Sequence, residues 1–323
     1  MRAFVTGATG FIGQYLVREL LAQGWQVTAL VRTINKARLL PEAVKWTPGE
    51  ITKPETLRRG MAGADAVFHL AALVEIGPRD PRLMVRTNVE GTRAVLGLAA
   101  ELGVPKIIYT STVGVYGNMG GKLADESYRA NGSGFLSEYE RTKFLAHYEV
   151  ALALQQKGLP IVIVCPGAVY GPGDTGLAGR MVKLYMGGLL PIMIGAEAAL
   201  TWAHVEDVAR GHWLAYEKGK VGETYNLAGP AHTLREFFAV CQKAGGRLAP
   251  FIWLPSRLAE VAANVMRPFN RPGLLSAEAM INLAKLSYLA TAEKAQRELG
   301  WRPRSLAEGV GDYLKWAAGE LAK

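Results

Sequence analysis

Tyr139 and Lys143 lie four residues apart and are the pair in this chain best suited to moving a proton. On a helix that spacing puts both side chains on one face. A free phenol ionises at about pH 10 and is a poor acid or base at neutral pH. A neighbouring ammonium, together with the positive nicotinamide of an oxidised cofactor, favours the phenolate and lowers that value. Such a tyrosine can pass a proton to a carbonyl oxygen as hydride reaches the carbon. The pattern is common by chance, and two solvated helix residues would also produce it. Its weight comes from Tyr109-Thr110-Ser111-Thr112, where a strand ends in consecutive hydroxyls. At the carboxyl edge of a parallel sheet, a hydroxyl can hydrogen-bond a developing alkoxide, although such a run also serves simply to end a strand.

A second constellation stands at the N-terminus. The strand Ala3 to Val5 runs into Thr6-Gly7-Ala8-Thr9-Gly10-Phe11-Ile12-Gly13. Gly7 permits a tight turn, Gly10 lets backbone approach a pyrophosphate, and Gly13 allows close helix–strand packing. The helix that follows points free N–H groups at the anion. The next strand ends Val31-Arg32-Thr33 without an acid. A carboxylate there would bind a ribose 2′-hydroxyl, whereas a guanidinium suits a 2′-phosphate. Arg32, with Lys36 and Arg38 close behind, therefore points to NADP(H). A plain surface arginine would leave NAD(H) as the cofactor.

These groups need a scaffold that brings strand ends together. Val27–Val31, Ala66–Leu70, Lys106–Tyr109 and Ile161–Val164 read as strands, with helices at Gln14–Gln23, Arg82–Leu102 and Glu138–Lys157. Alternating strand and helix predicts an α/β fold, a Rossmann-type doubly wound parallel sheet covered on both faces. After about residue 171 the alternation weakens. Helices are expected at Leu177–Met186, Leu254–Met266, Ser276–Lys285 and Thr291–Leu299, and a short strand at 225–227. Leu189–Ile194 is an apolar run broken by Pro191. We assign residues 1–170 to a dinucleotide-binding domain and 171–323 mainly to a smaller, interleaved substrate-binding lobe, with segments around 201–230 returning to the first domain.

The 323 residues suffice for such a core, and half are apolar. The net charge of +9 is dispersed and suits an anionic cofactor better than nucleic acid. Cys165 and Cys241 have no metal-binding spacing, and one histidine, His204, near Glu206 and Asp207 reads as structural, so no metal is expected. No run of about 18 apolar residues and no signal peptide is visible, which suggests a cytoplasmic protein without membrane association. Met181, Met186, Met193 and Trp202 suit a substrate pocket or a core equally well. Leu258, Val261, Ala262 and Val265 share one face of the 254–266 helix and are expected to be buried there.

Taken together, these motifs resemble the extended short-chain dehydrogenase/reductase superfamily along nearly the whole chain. Thr6 to Gly13 resembles its T-G-x-x-G-[FY]-[IL]-G turn, His69-Leu70-Ala71-Ala72 its fourth-strand motif, and Asn88-Val89-Glu90-Gly91-Thr92 its N-V-x-G-T helix. Tyr139–Lys143 matches its catalytic Y-x-x-x-K. Pro166–Gly171 resembles the strand end that packs on the nicotinamide, and His204–Ala209 and Lys294–Trp301 its late landmarks. The resemblance implies Thr112 as the catalytic hydroxyl with Tyr139 and Lys143. It implies cofactor contacts from Gly7, Thr9, Gly10, Phe11, Ile12, Gly13, Leu70, Ala71, Ala72 and Asn88. Thr110, Ser111, Pro166, Gly167 and Val169 complete that set. Glu50-Ile51 stands where the family has G-D-[IL] at the adenine, with Glu replacing Asp.

Val31-Arg32 and Leu254-Pro255 resemble the dihydroflavonol-reductase-like and 3β-hydroxysteroid-dehydrogenase-like branches. Ala168 stands where sugar-nucleotide epimerases usually carry Asn, although Val115-Tyr116-Gly117 is common in epimerases. The expectation is an NADP(H)-dependent oxidoreductase acting on a small to medium, fairly apolar carbonyl or alcohol. The alternatives are a sugar-nucleotide epimerase or dehydratase with tightly held NAD(P), and a non-catalytic module sensing the NADP redox state. A homodimer through the Arg82–Leu102 and Glu138–Lys157 helices is what the resemblance implies.

Overall fold

The computed structural model describes residues 1–75, 77–78, 80–250, 252–266 and 277–322. Its centre is a seven-stranded sheet in which every strand pair is parallel. In chain order the strands are β1 (Arg2–Thr6), β2 (Gln26–Val31), β3 (Lys45–Pro48), β4 (Ala66–His69), β5 (Ile107–Thr110), β6 (Ile161–Pro166) and, much later, β10 (Thr224–Leu227). The spatial order is β10-β6-β5-β4-β1-β2-β3. Strands β4, β5 and β6 are buried along their full length, as expected of a parallel sheet covered on both faces. That is why β6 reads Ile-Val-Ile-Val-Cys-Pro with no polar alternation.

One helical layer contains α1 (Phe11–Ala22) and α8 (Val205–Glu217), which pack against each other. The other contains α2 (Pro54–Met61) and two long helices. The first of these runs from α3 (Pro81–Val85) through a π-helical stretch (Arg86–Glu90) into α4 (Gly91–Glu101). The second runs from α5 (Glu138–Phe144) through a π-helical stretch (Leu145–Leu152) into α6 (Ala153–Gln156).

A second, aromatic-rich core lies under the smaller lobe. It is built by β7 (Ala168–Tyr170), α7 (Leu177–Met186), β8 (Ile192–Ile194), β9 (Ala199–His204), β11 (Ala231–Thr233), α9 (Leu234–Lys243) and α12 (Leu306–Leu321). Trp202 stacks on Phe237 with ring centroids 4.3 Å apart, and Met181 and Met193 are buried beside them. These residues fill a core, and Met186 packs against it. The chain crosses between the cores more than once: α8 covers the main sheet and β10 pairs with β6.

Three expectations need correction. The 254–266 helix starts late, because Leu254 belongs to β12 (Ile252–Leu254), paired with β8, and α10 runs from Ser256 to Met266. Pro255 disfavours helical backbone at the residue before it. The apolar face of α10 is also not buried: Leu258 is 49% exposed, Val261 61% and Val265 61%. The side chain of Ala262 lies outside the described residues, as does Ser276, so α11 is described from Ala277 to Lys285. Finally, Thr291 is not helical, because its N–H donates to Ala124 O (2.9 Å) and the neighbouring Ala290 bridges Ala124. The helix there narrows to a turn ending in the π-helical stretch Ala295–Leu299, which Gly300 closes in a left-handed conformation.

No helix among the described residues is long and apolar enough to cross a membrane. Exposure of Val261 has a direct consequence. Val261→Ser should change unfolding free energy by less than about 0.5 kcal/mol, as for other surface positions. Urea denaturation checks this, and a loss of about 2 kcal/mol or more would place the side chain in a core.

Candidate active site

The glycine turn between β1 and α1 is shaped by close approaches. Gly7 has φ of 76°, and a Cβ there would stand 2.7 Å from Ala71 N. A Cβ on Gly13 would stand 2.1 Å from Gly7 O. Gly10 is the N-cap of α1 and offers no side chain to its first turn, which carries no acid. A Cβ on Gly10 would meet only Gly7 O, at 3.1 Å, so the turn leaves a bare cradle beside unpaired N–H groups. That arrangement fits a dinucleotide pyrophosphate. Thr9, Phe11 and Ile12 are partly exposed around it, and Thr9 O accepts from Gln14 Nε2 (3.4 Å).

At the end of β2, Arg32 and Lys36 are exposed, and neither has an ion-pair partner among the described residues. Glu50 instead pairs with Lys53 (3.6 Å), and its backbone N–H donates to Thr56 Oγ1 (3.1 Å). Ile51 is buried against the helix carrying Gly91, so only its backbone faces outward.

Across the sheet, a relay of buried polar groups fixes the segment after β4. Ala71 N–H donates to Thr6 Oγ1 (3.3 Å), and Thr6 lies 2.7 Å from His69 Nδ1. His69 Nε2 lies 3.0 Å from Thr92 Oγ1, which donates to Asn88 O (2.7 Å). Because Thr92 spends its proton on Asn88, His69 must carry its own on Nε2 and accept at Nδ1. Burial, reinforced by the Lys143 charge, pushes the His69 pKa down to about 3, so the ring is neutral. Leu70 N–H donates to Thr6 O (3.1 Å), and Leu70, Ala71 and Ala72 remain partly exposed over the cradle.

Lys143 is 4% exposed. Its ammonium donates to Thr110 O (2.9 Å) and to Tyr109 Oη (3.4 Å), and it stands over the Tyr109 ring. Burial lowers its pKa to about 8. Tyr139 sits one turn earlier on α5, whose N-cap Ser137 accepts from Glu140 N. Within the protein itself, burial pushes Tyr139 up to about 12, opposed by Thr112, and the charge of an oxidised nicotinamide would add its lowering effect when bound. Lys143 directs two of its three donors at β5. Thr112 is partly exposed, accepts from Gly114 N (3.1 Å) and directs its hydroxyl at Tyr139. The structure thus brings Thr112, Tyr139 and Lys143 together at the carboxyl end of β5.

Three residues expected at the cofactor are committed elsewhere. Thr110 is hydrogen-bonded to His212 Nε2 (2.8 Å) in the α8 layer, and Ser111 to His147 Nδ1 (2.8 Å) in the opposite layer. Asn88 is 1% exposed. It accepts from Leu73 N (2.7 Å) and donates to Leu73 O and Thr142 Oγ1 (both 3.0 Å). These side chains act by holding backbone in place. Pro166 ends β6, and Val169 is partly exposed on β7. Gly167 passes so close to β9 that a Cβ would stand 2.2 Å from Thr201 O.

His147 and the role of Thr142 escaped the sequence reading, although His147 stands four residues past Lys143 and so shares its face. His204 caps α8 by accepting from Glu206 N (3.4 Å), and the described residues contain no cluster able to hold a metal ion.

The model of the NAD-dependent epimerase/dehydratase family matches residues 3–228. A putative dihydroflavonol 4-reductase of Synechocystis is 34% identical, covering 97% of this chain and 93% of that protein. Sterol demethylase protein B of Methylococcus capsulatus is 29% identical over 98% of both chains. Among solved structures, gox2253 superimposes with a TM-score of 0.87 at 32% identity, covering 98% of each chain. A UDP-glucose 4-epimerase of Thermotoga maritima superimposes with a TM-score of 0.79 at 25% identity, covering 99% of this chain and all of that one. With this sheet and this match over residues 3–228, the chain belongs to the NAD-dependent epimerase/dehydratase family, as an NAD(P)-dependent oxidoreductase of the extended short-chain dehydrogenase/reductase type.

Proposed function

We propose that the protein is an NADP(H)-dependent carbonyl reductase or alcohol dehydrogenase acting on a small to medium, fairly apolar substrate. The observation that carries this reading is the cluster of Thr112, Tyr139 and Lys143 at the end of β5, on the same sheet edge as the glycine cradle. Relatives named 2-alkyl-3-oxoalkanoate reductase and 3-beta-hydroxysteroid dehydrogenase support an apolar substrate. The unpaired Arg32 and Lys36 support a 2′-phosphate.

Bound nicotinamide supplies or accepts the hydride at the substrate carbon. Tyr139 stays protonated at neutral pH and so holds the proton that the carbonyl oxygen takes up on reduction. Thr112 orients that phenol and offers a second polar contact to the same oxygen. Lys143 keeps a charge beneath the site near neutrality, and the donor it does not direct at β5 would hold a ribose hydroxyl of the bound cofactor.

An epimerase or dehydratase is the second reading. A dTDP-glucose 4,6-dehydratase of Streptomyces griseus is 30% identical over 97% of this chain, which favours it. Ala168, which has no polar side chain to hold a nucleotide diphosphate, weighs against it.

Titration of cofactor-free protein with NADPH, NADP+, NADH and NAD+ tests the cofactor. The phosphorylated pair should bind more tightly, and Arg32→Ala should weaken NADPH about tenfold, or about 1.4 kcal/mol, while leaving NADH unchanged. Stronger binding of the NAD pair, or a cofactor that cannot be removed, would favour the epimerase. Tyr139→Phe should cut kcat by about 10²–10⁴ with NADPH affinity retained. Turnover that survives this change rules out Tyr139 as the proton donor.

A kcat profile between pH 6 and 10 reads Lys143 directly. Its lowered pKa of about 8 means that its charge is lost as pH rises through that value. Reduction should therefore be flat near neutrality and decline above about pH 8, whereas a rate constant to pH 10 contradicts a role for the ammonium.

A further inference from the structure

Tyr288, which lies between α11 and the π-helical stretch at Ala295–Leu299, packs against both the main core and the core of the smaller lobe. Its backbone is pinned, since its carbonyl accepts from Thr201 N (3.3 Å) and the residue bridges Leu200. Its ring edge lies 3.4 Å from where a Cβ on Gly114 would stand, which places the ring in van der Waals reach of the turn that carries Thr112. Its hydroxyl faces the carboxylate of Glu140, the residue after Tyr139, and it lies within electrostatic range of Tyr139 itself. Glu140 is buried and also accepts from Leu136 N (2.6 Å).

The helix that leads to Tyr288 is keyed to the same short segment. Glu278 Oε1 accepts from Glu138 N (3.1 Å), and Asn282 Nδ2 donates to Leu136 O (3.0 Å). Three side chains of the smaller lobe thus end on residues 136–140, the entry to the Tyr139 helix. This fixes Tyr288 relative to the phenol, beside the turn that carries Thr112. Thr112, Tyr139 and Tyr288 are all partly exposed, while Gly114 between them is buried.

We infer that Tyr288 is a specificity-determining residue, its ring forming the wall that limits the substituent flanking the substrate carbonyl. The assignment rests on the proposed active site. The hydroxyl is committed to Glu140, so the ring supplies the wall and Tyr139 remains the proton donor. A wall anchored at both ends yields little, so added bulk meets a steric limit.

The test compares acetophenone with butyrophenone, which enlarges one side of the same carbonyl. The kcat/KM ratio is measured with NADPH, and the binding ratio from fluorescence changes of the NADPH complex. Tyr288→Ala should shift the ratio at least tenfold towards butyrophenone, Tyr288→Trp should shift it the opposite way, and Tyr288→Phe should keep the wild-type ratio. NADPH affinity should be unchanged in all three. A folded Tyr288→Ala or Tyr288→Trp protein with an unchanged ratio overturns the assignment, as does a wild-type complex that binds neither ketone. Tyr139→Phe separates the two claims. Loss of turnover with unchanged ketone binding leaves the active site standing whatever Tyr288 does, and retained turnover removes the active-site reading itself.

Discussion

The burial of the Lys143 ammonium constrains most of what surrounds it. A charge taken out of water must find acceptors, and an unsatisfied one costs far more than a neutral polar group. Here the acceptors are the carbonyl that ends β5 and the Tyr109 hydroxyl. That requirement ties α5 to the end of β5, because a rotation of the helix would take the ammonium away from both acceptors. The neighbouring imidazoles obey the same electrostatics. His69 and His147 both feel the Lys143 charge, and with burial this holds each at about 3. They serve as neutral hydrogen-bonding posts and add no second charge.

From that anchor, order spreads through side chains that touch no reacting atom. Asn88 joins the backbone at Leu73 to Thr142 on the Tyr139 helix. It lies in the π-helical stretch Arg86–Glu90, where the wider turn shifts side chains relative to a regular helix. The cofactor cradle and the proton-transfer pair are thereby made parts of one rigid body. A sheet edge alone would not achieve this, since the loops leaving it are separate pieces of chain.

The sequence made the first half of the fold legible because a parallel sheet writes itself as buried β-branched runs between helices. Strands such as Ile107–Thr110 and Ile161–Pro166 lie where their residue types put them. The smaller lobe was harder to read because its core is assembled from short strands and aromatic rings far apart in sequence, such as Trp202 on Phe237 and Tyr170 beside Tyr313. The apolar stripe of α10 has the periodicity of a buried helix, yet it faces outward, because periodicity reports a face and not what covers it. At the site, residue types and spacing pointed to Tyr139, Lys143 and the hydroxyl run. They were silent on direction: Thr110 and Ser111 are adjacent, yet strand geometry sends their hydroxyls to opposite layers, towards His212 and His147. Spacing likewise put an ammonium near the phenol, but only the fold shows that β5 takes up two of its hydrogen bonds.

The pairing of β10 with β6 also bears on how the chain is made. Residues 224–227 complete the edge of a sheet whose other strands end by Pro166. During synthesis, at about 5–20 residues per second, some sixty further residues must emerge before β6 gains its last neighbour. Until then β6 presents an open, wholly apolar edge, the kind of surface that recruits strands from other chains. The nascent protein therefore passes through an interval of several seconds in which its most hydrophobic strand is unprotected.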